Sequence, residues 1–265
     1  MFENYIEEQK KLEPILLEQY NKFPSLKLPN FNESGINFNE SRVRINTSKW
    51  WREIKICANE MQYAYCFTNS YDRLIDMYRE NLKSDTFNRA SEILLFELPF
   101  WIGCLLGRLF SFREKLAQLI FYLNGRVLMI KKKKGEYKKY RARDISFYNV
   151  SNSIKDFARN NKLPNWLSSE DIGTLLNVLE EFESEEVKNL LYIRNAFIHN
   201  YPPAIDTTGT GLIITHGKWI SENEFTVYFL EDKDYSYQQI EILFLKAWDR
   251  MREGTLSIAG LEYFK

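Results

Sequence analysis

The sequence predicts an all-α fold, a bundle of four or five main helices with one small appended β-hairpin. Apolar residues recur at steps of three or four along several long stretches, which is the period of an amphipathic helix. β-Branched and aromatic residues concentrate in one region, about 207–230, as is typical of a hairpin. With 265 residues, of which 45% are hydrophobic, the chain is long enough to bury a sizeable core.

The first 47 residues are predicted to form an extension of the main domain. Residues 1–22 are rich in Glu, Lys, Gln and Leu, and they predict a surface helix that is broken near Pro14. Residues 24–47 contain Pro, Asn, Ser and Gly, and they predict an irregular connection. We therefore divide the chain into an N-terminal helix and irregular extension, 1–47, and a helical domain, 48–265.

The helical domain is expected to consist of helices up to about residue 200, then the hairpin, then a last helix. The apolar pattern predicts helices at about 48–81, 86–124, 145–160, 168–182, 184–200 and 236–252. The second of these is expected to be kinked or interrupted by Pro99. Its apolar residues occupy nearly the whole circumference between Leu94 and Leu109, so it should be the most buried element.

Charge and cysteine usage narrow the classes of function. The 36 basic and 36 acidic residues cancel, so the whole molecule has no long-range preference for nucleic acid or for an anionic membrane. Cys57, Cys66 and Cys104 form no CxxC pair, and their odd number is unlike a disulfide framework. The N-terminus lacks the order of a signal peptide. These features predict a cytoplasmic protein with reduced thiols.

A membrane span is not expected, although residues 93–110 are strongly apolar. This stretch contains Glu97, Pro99 and Arg108. A charge near the centre of a lipid-facing helix costs about 2.5–3.5 kcal/mol. We interpret the stretch as a buried core helix and expect no membrane partner.

The segment from Tyr192 to Tyr201 carries the chemistry-bearing residues. Pro202 disfavours helical geometry for Tyr201, which places His199 in the last turn of the preceding helix. There the helix dipole favours the imidazolium form by about 0.3–1 kcal/mol. Asn195 is four residues before His199 and shares its face, so its amide can orient the ring. His199 is thus predicted to hold or release a proton near neutrality.

Arg194 is five residues before His199, which is about 140° away around the helix axis. One helix therefore cannot easily direct both side chains at one atom. A second copy, packed about a two-fold axis, would bring two Arg-His pairs together. The pattern predicts a homodimer with a composite site.

Arg194-Asn195-Ala196-Phe197-Ile198-His199 resembles the hallmark of the HEPN superfamily of helical RNases and nucleotide-binding proteins. That hallmark is an arginine, often followed by Asn or another polar residue, and then a histidine a few residues later. The resemblance implies a dimer, an active site at the dimer interface and RNA cleavage without a metal or other cofactor. Arg194, Asn195 and His199 are the catalytic residues that it implies.

The residue types suit this reaction. The ribose 2′-hydroxyl attacks the adjacent phosphate, with His199 as general base or acid. Arg194 binds the phosphate bidentately as its charge redistributes. Asn195 positions the histidine or donates to the phosphate. The expected activity is a metal-independent endoribonuclease.

Tyr201 extends the resemblance to toxin members of the superfamily, in which a tyrosine follows the histidine by one residue. In those toxins a nucleotidyltransferase antitoxin attaches AMP to that tyrosine, and the bulky anion blocks the site. Tyr201 is therefore a candidate modification site, and the resemblance implies a toxin-antitoxin or phage-defence setting. Because this chain adds an N-terminal half, a basic insert and a hairpin, it is similar to a larger, divergent branch.

A basic segment, 126–143, is the second candidate feature. It contains nine basic residues and one acidic residue, Glu136, for a net charge of +8. Tyr137 and Tyr140 are interleaved and suit stacking on unpaired bases. The segment is predicted to hold RNA near the site through phosphate contacts. The predicted RNA-binding residues are Lys131, Lys132, Lys133, Lys134, Lys138, Lys139, Arg141 and Arg143.

Simpler interpretations remain open for each feature. His199 can be a helix cap, and Arg194 can pair with Glu185 or Glu186. The whole domain can be a non-catalytic HEPN-like module that binds nucleotide or RNA, or that mediates dimerisation. The basic segment can be a solvated loop or an edge hairpin protected by lysines. His216 is expected to be structural in the hairpin turn, and no metal-ligand spacing is present.

Overall fold

A computed structural model describes residues 2–28, 41–80, 89, 92, 93, 97–123, 129–131, 137–139, 145–160, 169–199, 205–206, 216–221, 224–228 and 235–261. Over these residues the chain is predominantly helical, which confirms the predicted class. Seven helices lie in the described part: α1 Phe2–Lys22, α2 Ser41–Glu80, α3 Leu98–Leu123, α4 Phe147–Arg159, α5 Ser169–Glu181, α6 Glu185–His199 and α7 Tyr237–Ala259. Their grouping into a bundle of four or five main helices stays a prediction.

Six short strands complete the described part: β1 Met129–Lys131, β2 Tyr137–Lys139, β3 Ile205–Asp206, β4 His216–Ser221, β5 Glu224–Tyr228 and β6 Tyr235–Ser236. The pairs β1-β2 and β4-β5 are antiparallel, and β3-β6 is parallel. His216 begins β4 and pairs with Tyr228, so it does not lie in the turn where the sequence placed it. Trp219 later in β4 favours a strand, whereas the polar residues after it favour the turn.

Two helices are longer than the sequence predicts. α2 begins at Ser41, seven residues before Ser48, because no Gly or Pro separates the two positions. α7 continues past Arg252 to Ala259. A Cβ added at Gly254 would meet Val178 Cγ1 at 3.0 Å. Gly254 is therefore a site of close packing between α7 and α5.

α1 is continuous through Pro14, so the predicted break is absent. Pro14 is exposed, and the carbonyl left without a helical hydrogen bond can therefore be solvated. α1 also buries one face, which includes Leu12, so it is more than a surface helix. This face is not evident in the sequence, because the apolar residues of α1 are interspersed with many charged ones.

Pro99 does not interrupt the helix that contains it, because the described residues on both sides, Glu97 and Leu98 onward, are helical. Arg89 and Glu92 are helical, whereas Ile93 and Glu97 adopt the wider π-helical conformation just before α3. α3 begins at Leu98, so Pro99 lies in its first turn, where a missing backbone N–H leaves no helical hydrogen bond unmade.

The chain divides into two compact units. The first is formed by Met1–Pro24, Glu60–Arg108 and Glu185–Lys246, and the second by Ser25–Asn59, Leu109–Ser184 and Ala247–Lys265. α2, α3 and α7 each contribute residues to both units. The domain boundary predicted after residue 47 falls inside a segment of the second unit. All of α6, with the candidate catalytic residues, belongs to the first unit.

The core of the first unit joins α1, α2 and α7 through aromatic rings. The ring centroids of Phe23 and Tyr65 are 5.1 Å apart, and those of Tyr65 and Phe244 are 5.8 Å apart. The Tyr65 hydroxyl donates to Glu241 Oε1 at 2.9 Å. Burial, together with the Glu241 carboxylate, raises the pKa of Tyr65 well above its ordinary value. Tyr65 therefore remains a neutral donor at physiological pH.

A partly buried ion cluster joins α1 to the segment before α3. Its members are Arg89, Glu8, Glu92 and Glu97, and we call it the Arg89 cluster. Arg89 Nε donates to Glu8 Oε2 at 2.8 Å, while Nη2 donates to Glu8 Oε1 at 2.6 Å and to Glu97 Oε1 at 2.5 Å. Tyr78 also donates to Glu8, and burial with this contact raises the pKa of Tyr78 to about 12.

The second unit has its own aromatic core. The centroid distances are 5.2 Å for Phe112 and Trp248, and 5.7 Å for Phe147 and Phe182. Ser146 caps α4, because its hydroxyl accepts from the backbone N–H of Asn149 at 3.3 Å. These contacts join α3, α4, α7 and the turn after α5.

None of the described helices combines the length and the apolar character that crossing a membrane requires. The three cysteines are free thiols, as predicted, and Cys57 and Cys66 are buried. Burial raises the pKa of the Cys66 thiol to about 11. The Cys66 thiol is therefore protonated and unreactive near neutrality.

Candidate functional site

α6 presents the candidate site on a firmly packed helix. A tight turn follows α5, in which the Phe182 N–H donates to the Val178 carbonyl at 3.1 Å. Glu185 and Glu186 then occupy the first turn of α6, where negative charge stabilises a helix. Val187, Leu190 and Ile193 lie on the buried face of α6, and each is 0–1% exposed.

Arg194 and Asn195 are brought together at the C-terminal end of α6. Arg194 Nη1 donates to Asn195 Oδ1 at 3.2 Å, and this contact is open to solvent. Arg194 is half-buried, whereas Asn195 is exposed. The Asn195 amide therefore contacts the guanidinium on the side that faces solvent.

The guanidinium of Arg194 has little else to bind in the described part of the chain. There its buried Nε has no hydrogen-bond acceptor, and no carboxylate forms an ion pair with it. The alternative pairing with Glu185 or Glu186 is therefore not observed. A buried donor without an acceptor is costly, and an oxyanion would satisfy it.

His199 is the last residue of α6, in the final turn as the sequence predicts. Its position is thus at the partial negative end of the helix dipole. Asn200 and Tyr201, the candidate modification site, lie outside the described residues. The structure joins Arg194 to Asn195 and gives the helical position of His199, one turn after Asn195.

The basic segment contains the short β1-β2 ladder, which belongs to the second unit. Lys131 pairs with Tyr137, Ile130 with Lys138, and Met129 with Lys139. β1 lies near α4. The other predicted RNA-binding residues, Lys132, Lys133, Lys134, Arg141 and Arg143, lie outside the described residues.

Two exposed residues of α6 were missed by the sequence analysis. Lys188 and Tyr192 precede Asn195 and His199 at helical spacing, and both are exposed. The four positions fall at i, i+4, i+7 and i+11, so they share one face. We call this set the α6 stripe. The helical spacing of these four residues could have identified the stripe from the sequence. The apolar residues between them made the spacing less evident.

Metal ligands do not cluster in the part of the chain that the structure describes. No group of three His, Cys, Asp or Glu side chains there is arranged to hold a metal ion. The groups that α6 offers for chemistry are a guanidinium, an amide and an imidazole. Together they can bind a phosphate and transfer a proton.

No family model matches the chain, and comparisons with curated proteins and with solved structures find no significant match. An assignment of function therefore depends on the residues of α6 and their geometry.

Proposed function

We propose that the protein is a metal-independent endoribonuclease of the HEPN type that acts as a homodimer on RNA. The observation that carries the proposal is the state of Arg194. Within the described residues its guanidinium is paired with a neutral amide and with no carboxylate. Its positive charge is therefore available to a phosphate, five residues before His199 in the same helix.

The proposed reaction is an internal transfer at phosphorus. His199 accepts the proton of the ribose 2′-hydroxyl, and the 2′-oxygen forms a bond to the adjacent phosphorus. The bond from phosphorus to the 5′-oxygen breaks, and that oxygen takes a proton from an imidazolium. The products are a 2′,3′-cyclic phosphate and a 5′-hydroxyl. Arg194 stabilises the charge that develops on the phosphoryl oxygens.

Helix geometry supports the proposed homodimer. Positions 194 and 199 are about 140° apart around the axis, so one helix presents them in different directions. A two-fold axis beside the end of α6 would place Arg194 of one copy near His199 of the other. It would also supply two histidines, one for each proton transfer. A protein that stays monomeric at micromolar concentration would contradict this composite site.

We also propose a location in the cell, a biological role and a fold for the protein. We place the protein in the cytoplasm, which three free cysteines support. We further propose a toxin-antitoxin or phage-defence role, with Tyr201 as the site that a nucleotidyltransferase antitoxin modifies. The scaffold is a bundle of four or five main helices with the hairpin appended at about 207–230.

Removal of one 2′-hydroxyl tests the proposed chemistry. A single-stranded RNA cut by the protein in EDTA is resynthesised with 2′-deoxyribose on the 5′ side of the mapped bond. We expect cleavage at that bond to disappear while other bonds are still cut, because the nucleophile is absent. Cleavage of the deoxy-substituted bond would show that water is the nucleophile and would reject the proposal. RNA binding without cleavage would favour the non-catalytic module.

Neutralising the basic segment is expected to weaken RNA binding. Replacing Lys131, Lys132, Lys133 and Lys134 with glutamine removes four cations. For single-stranded RNA, the slope of the logarithm of the binding constant against the logarithm of the salt concentration should then become shallower by up to about 3. Filter binding at several salt concentrations measures this change. The control removes four exposed lysines elsewhere, Lys10, Lys27, Lys55 and Lys246, for the same loss of charge. Equal slopes in both variants would leave the segment as a solubilising element.

A further inference from the structure

The α6 stripe continues the candidate site along the helix. Tyr192 lies seven residues before His199 and three before Asn195, so the three positions share one face of α6, on which Tyr192 and Asn195 are exposed. Along the axis, Tyr192 is about 10 Å from His199, and Lys188 is about 6 Å further. This face therefore carries an exposed cation, an exposed aromatic ring and an exposed amide in order, followed by the position of His199.

Tyr192 is exposed without a structural reason in the described part of the chain. Its side chain is 52% exposed, while the neighbouring Ile193 is 1% exposed. In the described residues, the Tyr192 ring stacks on no other ring and its hydroxyl forms no hydrogen bond. Among the α6 residues whose burial is described, Val187, Leu190 and Ile193 are buried, and Tyr192 is not. The ring is therefore free to contact a ligand.

We infer that Tyr192 is the residue on which an unpaired base of the substrate stacks beside the scissile phosphate, and that the substrate is single-stranded RNA. This inference rests on the proposed function. Aromatic side chains bind unpaired bases by stacking, with little dependence on sequence. A base in a duplex is already stacked on both sides, and its helix is recognised through the backbone. Tyr192 is a positioning residue that orders the nucleotide.

The charges along the α6 stripe suit a strand that follows the helix. Lys188 is exposed one turn before Tyr192 and can bind the phosphate on the far side of the stacked base. Glu185 lies on the same face one turn earlier and would repel the next phosphate. The favourable path for RNA therefore runs from Lys188 to the end of α6.

Base stacking can be measured without cleavage. We would use full-length protein carrying His199→Ala and a set of single-stranded RNAs in which 2-aminopurine occupies a different position in each. Tyr192→Ala is expected to weaken binding roughly tenfold to a hundredfold and to abolish quenching of 2-aminopurine. Tyr192→Phe is expected to retain both, because it keeps the ring. Tyr148→Ala is the matched control, since Tyr148 is 70% exposed on α4.

The outcomes separate this inference from the proposed function. Equal affinity and equal quenching in Tyr192→Ala and Tyr192→Phe would overturn the inference even if wild type cleaves RNA. An equal loss of affinity for duplex RNA would also overturn it, because a duplex offers no unpaired base. If wild type binds RNA through Tyr192 but never cleaves it, the stacking role stands and the nuclease is rejected. No RNA binding by folded protein would reject both.

Discussion

Replacing His199 with alanine is expected to lower the rate of RNA cleavage by about 10²–10⁴-fold, the usual contribution of a general acid or base. The reason is that the 2′-hydroxyl then has no group to accept its proton. Single-turnover cleavage in EDTA measures the rate, and circular dichroism and sedimentation test fold and dimer. His216→Ala is the matched control, because His216 is the other histidine of the chain and is paired in β4.

Arg194→Ala is expected to lower the same rate by about 10²–10³-fold, as the loss of a charge-stabilising group does. In the described residues the half-buried guanidinium forms its only hydrogen bond with Asn195, so its removal should cost little stability. Arg73→Ala is the control, since Arg73 forms an exposed ion pair with Glu18 at 2.8 Å. Equal rates for wild type and either site variant would remove that residue from the mechanism.

Arg89→Met is expected to lower the free energy of unfolding by about 3 kcal/mol. The Arg89 cluster holds three carboxylates around one guanidinium. Glu8 is its most buried member, with a side chain 6% exposed. Without the arginine, the Glu8 carboxylate is left in the interior with Tyr78 as a donor, at 3.2 Å. Breaking a buried ion pair from one side leaves an uncompensated charge, which is why the expected effect is large.

Urea denaturation followed by far-ultraviolet circular dichroism measures this loss. Arg73→Met is the matched control, because both partners of the Arg73 and Glu18 pair are more than 40% exposed. An exposed pair contributes about 0–1 kcal/mol, so the control should unfold near the wild-type midpoint. A similar midpoint for both variants would contradict a stabilising role for the Arg89 cluster between α1 and the segment before α3.

The helical class followed directly from the period of the apolar residues. Phe112, Phe147, Leu175 and Phe244 all lie at positions that the pattern assigned to helices, and all are 0–1% exposed. Local signals also located α4 and the restart at α6. Helix lengths were less predictable, because Gly254 normally ends a helix but here allows close packing against Val178.

Contacts between distant parts of the chain could not be predicted from local patterns. Glu8 and Arg89 are 81 residues apart, and neither is distinguished in sequence from many solvated charges. For the same reason α1 gave no sign of its buried face. Such pairs appear only when the helices are placed together in three dimensions.

The candidate site was predicted from the spacing of Arg194, Asn195 and His199 in the chain. The structure adds that Arg194 and Asn195 are in contact and that Tyr192 is exposed on the same face as Asn195. The sequence could not show whether Arg194 is paired with a carboxylate, because Glu185 and Glu186 were equally available in the chain. Burial of Ile193 and exposure of Tyr192 explain which face of α6 is open.

The most direct measurement is the chemistry of RNA ends produced by the purified protein in EDTA. Mixed cellular RNA is incubated with wild type and with His199→Ala prepared in parallel, and the 3′ ends of the fragments are identified. We expect 2′,3′-cyclic phosphates with wild type and none above background with the variant. Intact RNA after incubation with a folded wild-type dimer whose mass excludes AMP on Tyr201, or identical fragments from both proteins, would contradict the proposed ribonuclease.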